Sequence, residues 1–207
     1  MKYNNIAFIG FGLIGGSIAK AIKKYGLASK ICAYTKNSAE LLKGKSDGVI
    51  DIILNNIDAS LSECDIIFLC TPVDFNEYYL EKIKPYVKKE SIVTDVGSTK
   101  SSIHRLAKRL DMEDIFIGGH PMAGSEKTGY AASDALLLEN AYYMITPSSK
   151  TSKEKLDILT DIITKIKAIP FVIDCQKHDS VVAAVSHLPH ILAATLVNLI
   201  KDNDYSD

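Results

Sequence analysis

Short apolar runs alternate with amphipathic stretches through most of the chain. An apolar run at 6–10 ends in glycine, and residues 13–25 place Ile14, Ile18, Ala21 and Ile22 at helical spacing. The same pattern predicts further strands over 30–34, 66–70, 91–96, 115–118, 141–146 and 169–173. Helices are predicted over 38–45, from Asp74 to the region of Pro85, and over 98–110. The run at 66–70 is continuously apolar, as in a strand buried on both faces. Asp74 and Glu77 suit a helical first turn, where carboxylates meet unpaired amides. Thr151 and Glu154 read as a capping box ahead of an apolar stripe through Leu156, Leu159, Ile162, Ile163 and Ile166. This alternation predicts an α/β fold, with a mainly parallel sheet and helices on both faces.

The pattern changes after residue 174. Residues 175–200 carry no strand signal, only an apolar helical stretch interrupted by Pro189 and followed by a polar tail at 201–207. Its apolar positions include Val181, Val182, Val185, Ile191, Leu192, Leu196 and Ile200. The expected division is therefore a domain over 1–174 and the start of an all-helical C-terminal domain over 175–207, which ends early enough to read as truncated. There is no internal repeat or low-complexity tract.

Composition narrows the function classes. With 47% hydrophobic and 24% charged residues, the chain fits a soluble globular protein. A net charge of -1 gives no general attraction to nucleic acid or to an anionic membrane, so neither is expected as a partner. The apolar stretch at 6–19 follows Lys2 but contains four glycines and leads into Lys20, Lys23 and Lys24, so it reads as fold rather than signal peptide. No uninterrupted apolar stretch reaches bilayer-spanning length. Cys32, Cys64, Cys70 and Cys175 form no C-x-x-C pair and no zinc spacing; they read as reduced thiols of a cytoplasmic protein, and no metal is expected.

Candidate chemistry begins at the first turn. Gly10-Phe11-Gly12-Leu13-Ile14-Gly15 fits G-x-G-x-x-G, and it joins an apolar strand to an amphipathic helix, the context that gives the motif weight. Gly10 would permit the tight turn, Gly12 the approach of a pyrophosphate, and Gly15 close helix–strand packing. The amides of Leu13 and Ile14, at the helix N-terminus, would face the anion. Such a loop implies a Rossmann-like dinucleotide-binding unit, with Thr71 and Pro72 after the 66–70 strand bordering the same cleft. The second strand ends in Tyr34-Thr35-Lys36-Asn37, without the acid that usually reads the ribose of NAD. Thr35 and Lys36 would accept a 2′-phosphate, so the cofactor is expected to be NADP or NAD, with NADP accepted.

Ligands of such sheets bind at the carboxyl ends of the strands, where two further polar segments fall. One contains Ser98 and the other His120, which sits between glycines and a proline directly after an apolar strand. A neutral imidazole there would take a proton from a substrate hydroxyl near pH 7, with Ser98 orienting it or the substrate. Ser186-His187-Leu188-Pro189-His190 forms a second cluster, read as substrate-facing because no third ligand at useful spacing makes it a metal site. His104 and His178 carry weaker signals, and His104 reads as structural.

Together these segments resemble the prephenate/arogenate dehydrogenase family. The matching stretches are GFGLIGGS from residue 10, DVGSTK at 95–100, GGHPMAGSEKTG at 118–129 and VSHLPH at 185–190, spread over nearly the whole chain. The resemblance implies oxidative decarboxylation of prephenate, or of its amino analogue arogenate, with NAD or NADP in tyrosine biosynthesis. It implies that His120 takes the proton of the ring hydroxyl and that Ser98 is hydrogen-bonded in the same site. Glu126 and His190 would lie near the substrate and its gate, and His187 beside them. It also implies a homodimer formed by a longer helical domain that supplies a substrate-binding arginine. Here the only arginines are Arg105 and Arg109, on an earlier helix.

Two other readings remain open. A β-hydroxyacid dehydrogenase would need a catalytic lysine in the helical region, where Lys177 and Lys201 lie in no convincing motif. A non-catalytic nucleotide sensor would bind the cofactor without turnover and would leave Ser98, His120 and His190 unexplained.

Overall fold

The computed structural model describes residues 3–202. Eight strands form one sheet in the order β3-β2-β1-β4-β5-β6-β7-β8. They are β1 (Tyr3–Ile9), β2 (Ala28–Tyr34), β3 (Ile52–Ile53), β4 (Ile66–Leu69), β5 (Ile92–Asp95), β6 (Phe116–Pro121), β7 (Tyr142–Thr146) and β8 (Ile169–Val172). The first six are parallel, β7 runs antiparallel to β6, and β8 is parallel to β7. The expected mainly parallel α/β sheet is therefore observed.

Among the described residues seven α-helices accompany it: α1 (Leu13–Lys24), α2 (Ser38–Ser46), α3 (Val73–Ile83), α4 (Ser101–Arg109), α5 (Lys153–Lys165), α6 (Cys175–Val182) and α7 (Leu188–Asp202). The two-residue period of β1 sorts the core into two layers. Ile6 and Phe8 join a cluster with Ile18 and Ile22 of α1 and with Leu159 and Ile163 of α5. Ala7 and Ile9 join the opposite cluster, with Leu80 and Ile83 of α3 and Ile103 and Leu106 of α4. Both faces of the sheet are thus covered, which is why its central strands read as unbroken apolar runs.

Three local expectations are corrected. The cap of α5 is Ser152, whose hydroxyl accepts from the Lys155 amide at 3.3 Å, while the Thr151 hydroxyl serves the Ser148 amide. The helix expected over 98–110 starts only at Ser101. Pro189 does not interrupt the C-terminal helix: α6 passes through a π-helical turn, Ala183–His187, straight into α7. A proline removes one amide donor and crowds the carbonyl four residues earlier; the wider π turn just upstream absorbs that mismatch. The continuous helix Cys175–Lys201 spans 27 residues and is apolar and long enough, by length and composition, to cross a membrane. Val185, Ile191, Leu192, Leu196, Val197 and Ile200 are all exposed along it.

Candidate functional site

The sheet reverses its direction of growth at β1, which pairs with β2 on one side and β4 on the other. The loops after β1 and β4 must diverge there, and a crevice opens at their carboxyl ends. Ile9 is in register with Leu69, so Gly10 lies against Cys70. Gly10 has φ +93°, and a methyl group on it would fall 2.6 Å from the carbonyl of Cys70. A methyl group on Gly15 would fall 2.7 Å from the Gly10 carbonyl oxygen. Gly12 is different, because a methyl group there meets nothing within 4 Å. Glycine at 10 and 15 is thus demanded by protein packing, whereas at 12 it keeps open a space that the protein itself does not fill. That is a cradle suited to a dinucleotide pyrophosphate against the N-terminus of α1.

The cleft has a volume of about 540 Å³. It brings together Gly10, Gly12, Leu13, Ile14, Thr35, Thr71, Pro72, Ser98 and His120, residues that are far apart in the chain. Gly15 lies beneath it as packing. Lys36 lines a smaller adjoining cleft with Thr35, Asn37, Phe75 and Tyr79, and its ammonium stands 5.6 Å from the Phe75 ring centre. Three residues that carried no expectation, Glu40, Lys127 and Thr128, also line the main cleft. Glu40 comes from α2, and its carboxylate accepts from the Tyr130 amide at 3.3 Å, fastening the far end of the 122–129 loop.

The remaining expected site residues lie outside the cleft wall. Glu126 is exposed on the 122–129 loop, His190 is exposed on α7, and His187 is half-buried on the π turn. His187 is close enough to His120 to disfavour its protonation. Among the described residues, no group of three or more His, Cys, Asp or Glu side chains is placed to hold a metal ion. All four cysteines are free thiols.

His120 sits near the end of β6 beside a buried polar assembly. Lys100 is fully buried and ion-paired with fully buried Asp95; it also donates to the Gly119 carbonyl at 2.8 Å. Asp95 accepts from the Gly119 amide at 3.1 Å and the Gly97 amide at 2.9 Å. The pair thus grips the backbone on both sides of Gly119 and sets where His120 emerges. His120 Nδ1 lies 3.0 Å from Nε2 of the fully buried His178, whose Nδ1 lies 2.9 Å from Asp179 Oδ1. Asp179 also accepts from the Lys100 and Ser101 amides at the start of α4, each at 2.8 Å. Burial, then the Lys100 ammonium and the neighbouring His178 and His187, push the His120 imidazole down to about 3. It is neutral throughout the physiological range. Burial alone would raise the Asp179 carboxyl, but its bonds from Ser101, His178 and the Lys100 amide outweigh that and hold it at about 2.

A parallel sheet with a glycine-rich crevice at its switch point defines a dinucleotide-binding α/β protein. Residues 18–171 match the family described as prephenate dehydrogenase, nucleotide-binding domain, and residues 174–207 match prephenate dehydrogenase, dimerization domain. The chain belongs to the prephenate dehydrogenase family. It is 40% identical over 204 residues to prephenate dehydrogenase of Lactococcus lactis, covering 97% of this chain and 54% of the relative. It is 36% identical over 197 residues to that of Bacillus subtilis, covering 94% and 53%. The chain therefore spans about half the length of these curated relatives. Among solved structures, prephenate dehydrogenase from A. aeolicus in complex with hydroxyphenyl propionate and NAD+ superposes with a TM-score of 0.92 at 29% identity, over 100% of this chain and 72% of that one. Synechocystis arogenate dehydrogenase superposes with a TM-score of 0.87 at 31% identity, over 98% and 71%.

Proposed function

We propose that this chain carries the cofactor site and the proton-accepting group of a dehydrogenase that oxidatively decarboxylates prephenate with NAD or NADP. The observation that carries this reading is one cleft shared by the Gly10–Gly12 cradle and a neutral imidazole at His120. A bound nicotinamide supplies the hydride acceptor. The chain's own residues do the rest. Gly12, Leu13 and Ile14 receive the pyrophosphate, with Thr71 and Pro72 bordering it. His120 takes the proton of the ring hydroxyl at Nε2, because its Nδ1 faces His178. Ser98 orients the hydroxyl. Glu126, His187 and His190 are assigned to the substrate side, reached once further protein or substrate covers the cleft.

Arogenate is the second substrate reading, supported by the likeness to an arogenate dehydrogenase. For the cofactor, Lys36 supports acceptance of NADP and Glu40 supports NAD. A homodimer built on the exposed apolar face of α6–α7 fits the match of 174–207 to a dimerization domain. The domain division after residue 174 and a cytoplasmic setting, which suits four free cysteines, belong to the same reading. The test is spectrophotometric: NADH or NADPH formation on adding prephenate or arogenate, with this chain and with forms carrying additional C-terminal sequence. Absence of turnover with either substrate in every form would overturn the reading in favour of a nucleotide sensor.

A further inference from the structure

We propose that Asp179 and His178 act as positioning residues that lock the single proton of neutral His120 on Nδ1, leaving Nε2 as a bare acceptor for the cleft. The inference follows from hydrogen-bond inventory. Asp179 accepts two backbone amides, one at each oxygen, and a carboxylate has no proton to donate. The proton in its 2.9 Å contact with His178 must therefore reside on His178 Nδ1. With His178 singly protonated, as the proposal requires, this is its one proton and Nε2 presents a lone pair. That lone pair faces His120 Nδ1 at 3.0 Å, and two lone pairs cannot face each other at that distance. His120 must donate from Nδ1, and its own remaining nitrogen is unprotonated.

The arrangement is held from both ends. His178 is fully buried, and Asp179 is pinned to the N-terminus of α4 by the Lys100 and Ser101 amides. The charged and titratable groups around His120 are Lys100, with its partner Asp95, on the strand-end side, and His178, Asp179 and His187 on the α6 and π-turn side. When Nε2 takes a proton from a hydroxyl, an O–H bond breaks and an N–H bond forms. The charge that develops on His120 is then met by the Nδ1–H bond to His178 and, behind it, by the Asp179 carboxylate.

The tautomer is a property of the protein alone; its catalytic consequence rests on the proposed dehydrogenase reading. Long-range proton–nitrogen NMR of the 15N-histidine-labelled chain at pH 7.5 reads the tautomer directly, with His120→Asn assigning the signal. The expected result is His120 protonated on Nδ1 and His178 likewise. His120 protonated on Nε2, or a doubly protonated His178, would overturn the proposal. Asp179→Ala removes the acceptor that faces His178 Nδ1, so the single-tautomer pattern of both rings should be lost, whereas Asp179→Glu should retain the native pattern. If either variant fails to fold, the wild-type spectrum alone decides. In a form that turns over substrate, Asp179→Ala should lower kcat by about 100-fold or more, the scale of general-base catalysis, while KM for the cofactor stays within about twofold. No turnover in any form counts against the dehydrogenase reading, whereas the tautomer is still decided by the NMR spectrum.

Discussion

Lys100 and Asp95 form an ion pair in which neither side chain has any solvent exposure. Burial pushes the Lys100 amine down and Asp95 opposes that shift, so each charge is tolerable only through the other. Lys100→Met leaves the Asp95 carboxylate buried with its amide donors but no counter-charge. The expected loss is about 3–5 kcal/mol of folding stability, measured by urea denaturation. The double variant Asp95→Asn/Lys100→Met should lose clearly less, because no orphaned charge remains. Equal losses in the two variants would mean that the pair is not the source of the effect.

Gly10 and Gly12 belong to one motif but should respond differently to substitution. Gly10→Ala drives a methyl group to within 2.6 Å of the Cys70 carbonyl at a positive φ, so it should unfold the chain or lower Tm by several degrees. A Cβ at Gly12 meets open space, so Gly12→Val should leave Tm within a few degrees of wild type. It should nevertheless weaken NAD or NADP binding by about tenfold or more, since the side chain occupies the cradle for the pyrophosphate. Calorimetric titration and thermal melts of the two variants separate these outcomes. Retained affinity in Gly12→Val would remove the pyrophosphate from this loop.

The depressed His120 group predicts an acid-sensitive fold with a defined sign. Its ordinary value is 6.5, and burial with the neighbouring Lys100, His178 and His187 holds it near 3 in the native state. Between those values the unfolded chain binds the extra proton and the native one does not. Stability therefore rises with pH across this window and is lost as pH falls from about 6.5 towards 3. His120→Asn removes that contribution. Urea midpoints measured at pH 7, 6, 5 and 4 should fall more steeply for wild type than for the variant. Using the difference between the two proteins cancels His104, whose group is also lowered by burial. Parallel curves would place His120 in a more solvated setting than the structure gives it.

Most of the sheet was legible in the sequence because its elements are encoded locally. Apolar runs buried on both faces and a glycine turn into an amphipathic helix need no distant partner to be recognised. The two-residue β3 is too short to leave a pattern, and the reversal of β7 is set by pairing with β6 rather than by composition. In the site, Gly10, Gly12, Ser98 and His120 were legible, because each lies in a polar or glycine-rich stretch at or just beyond the carboxyl end of a strand. Asp179 was not, and His178 carried only a weak signal. Asp179 accepts from the Lys100 amide, 79 positions earlier and just ahead of α4, and its only local hint is a His–Asp dipeptide within α6. Lys100 and Asp95 stood inside the DVGSTK stretch, but a lysine five residues from an aspartate reads as a solvated charge until the sheet buries it. Glu40 was overlooked because the ribose-reading acid is sought at the end of β2, and Glu40 enters from the first turn of α2 instead.

Glu40 lines the main cleft together with Thr35, while Lys36 lines the adjoining smaller one. A carboxylate at this end accepts from the hydroxyls of an unmodified ribose and repels a 2′-phosphate; a lysine does the reverse. The two side chains therefore oppose each other in choosing between NAD and NADP. Glu40→Gln should shift the ratio of dissociation constants towards NADP by about tenfold, corresponding to ~1.4 kcal/mol. Lys36→Ala should shift it towards NAD, and the double variant should lie between the two, since their charges act on the same phosphate. Glu40→Gln keeps an acceptor for the Tyr130 amide, so the 122–129 loop should stay fastened and Tm should change little. Fluorescence titration of both cofactors against the four proteins measures the ratios. A ratio that moves with Lys36 but not with Glu40 would confine the discrimination to the smaller cleft and leave Glu40 with its structural bond alone.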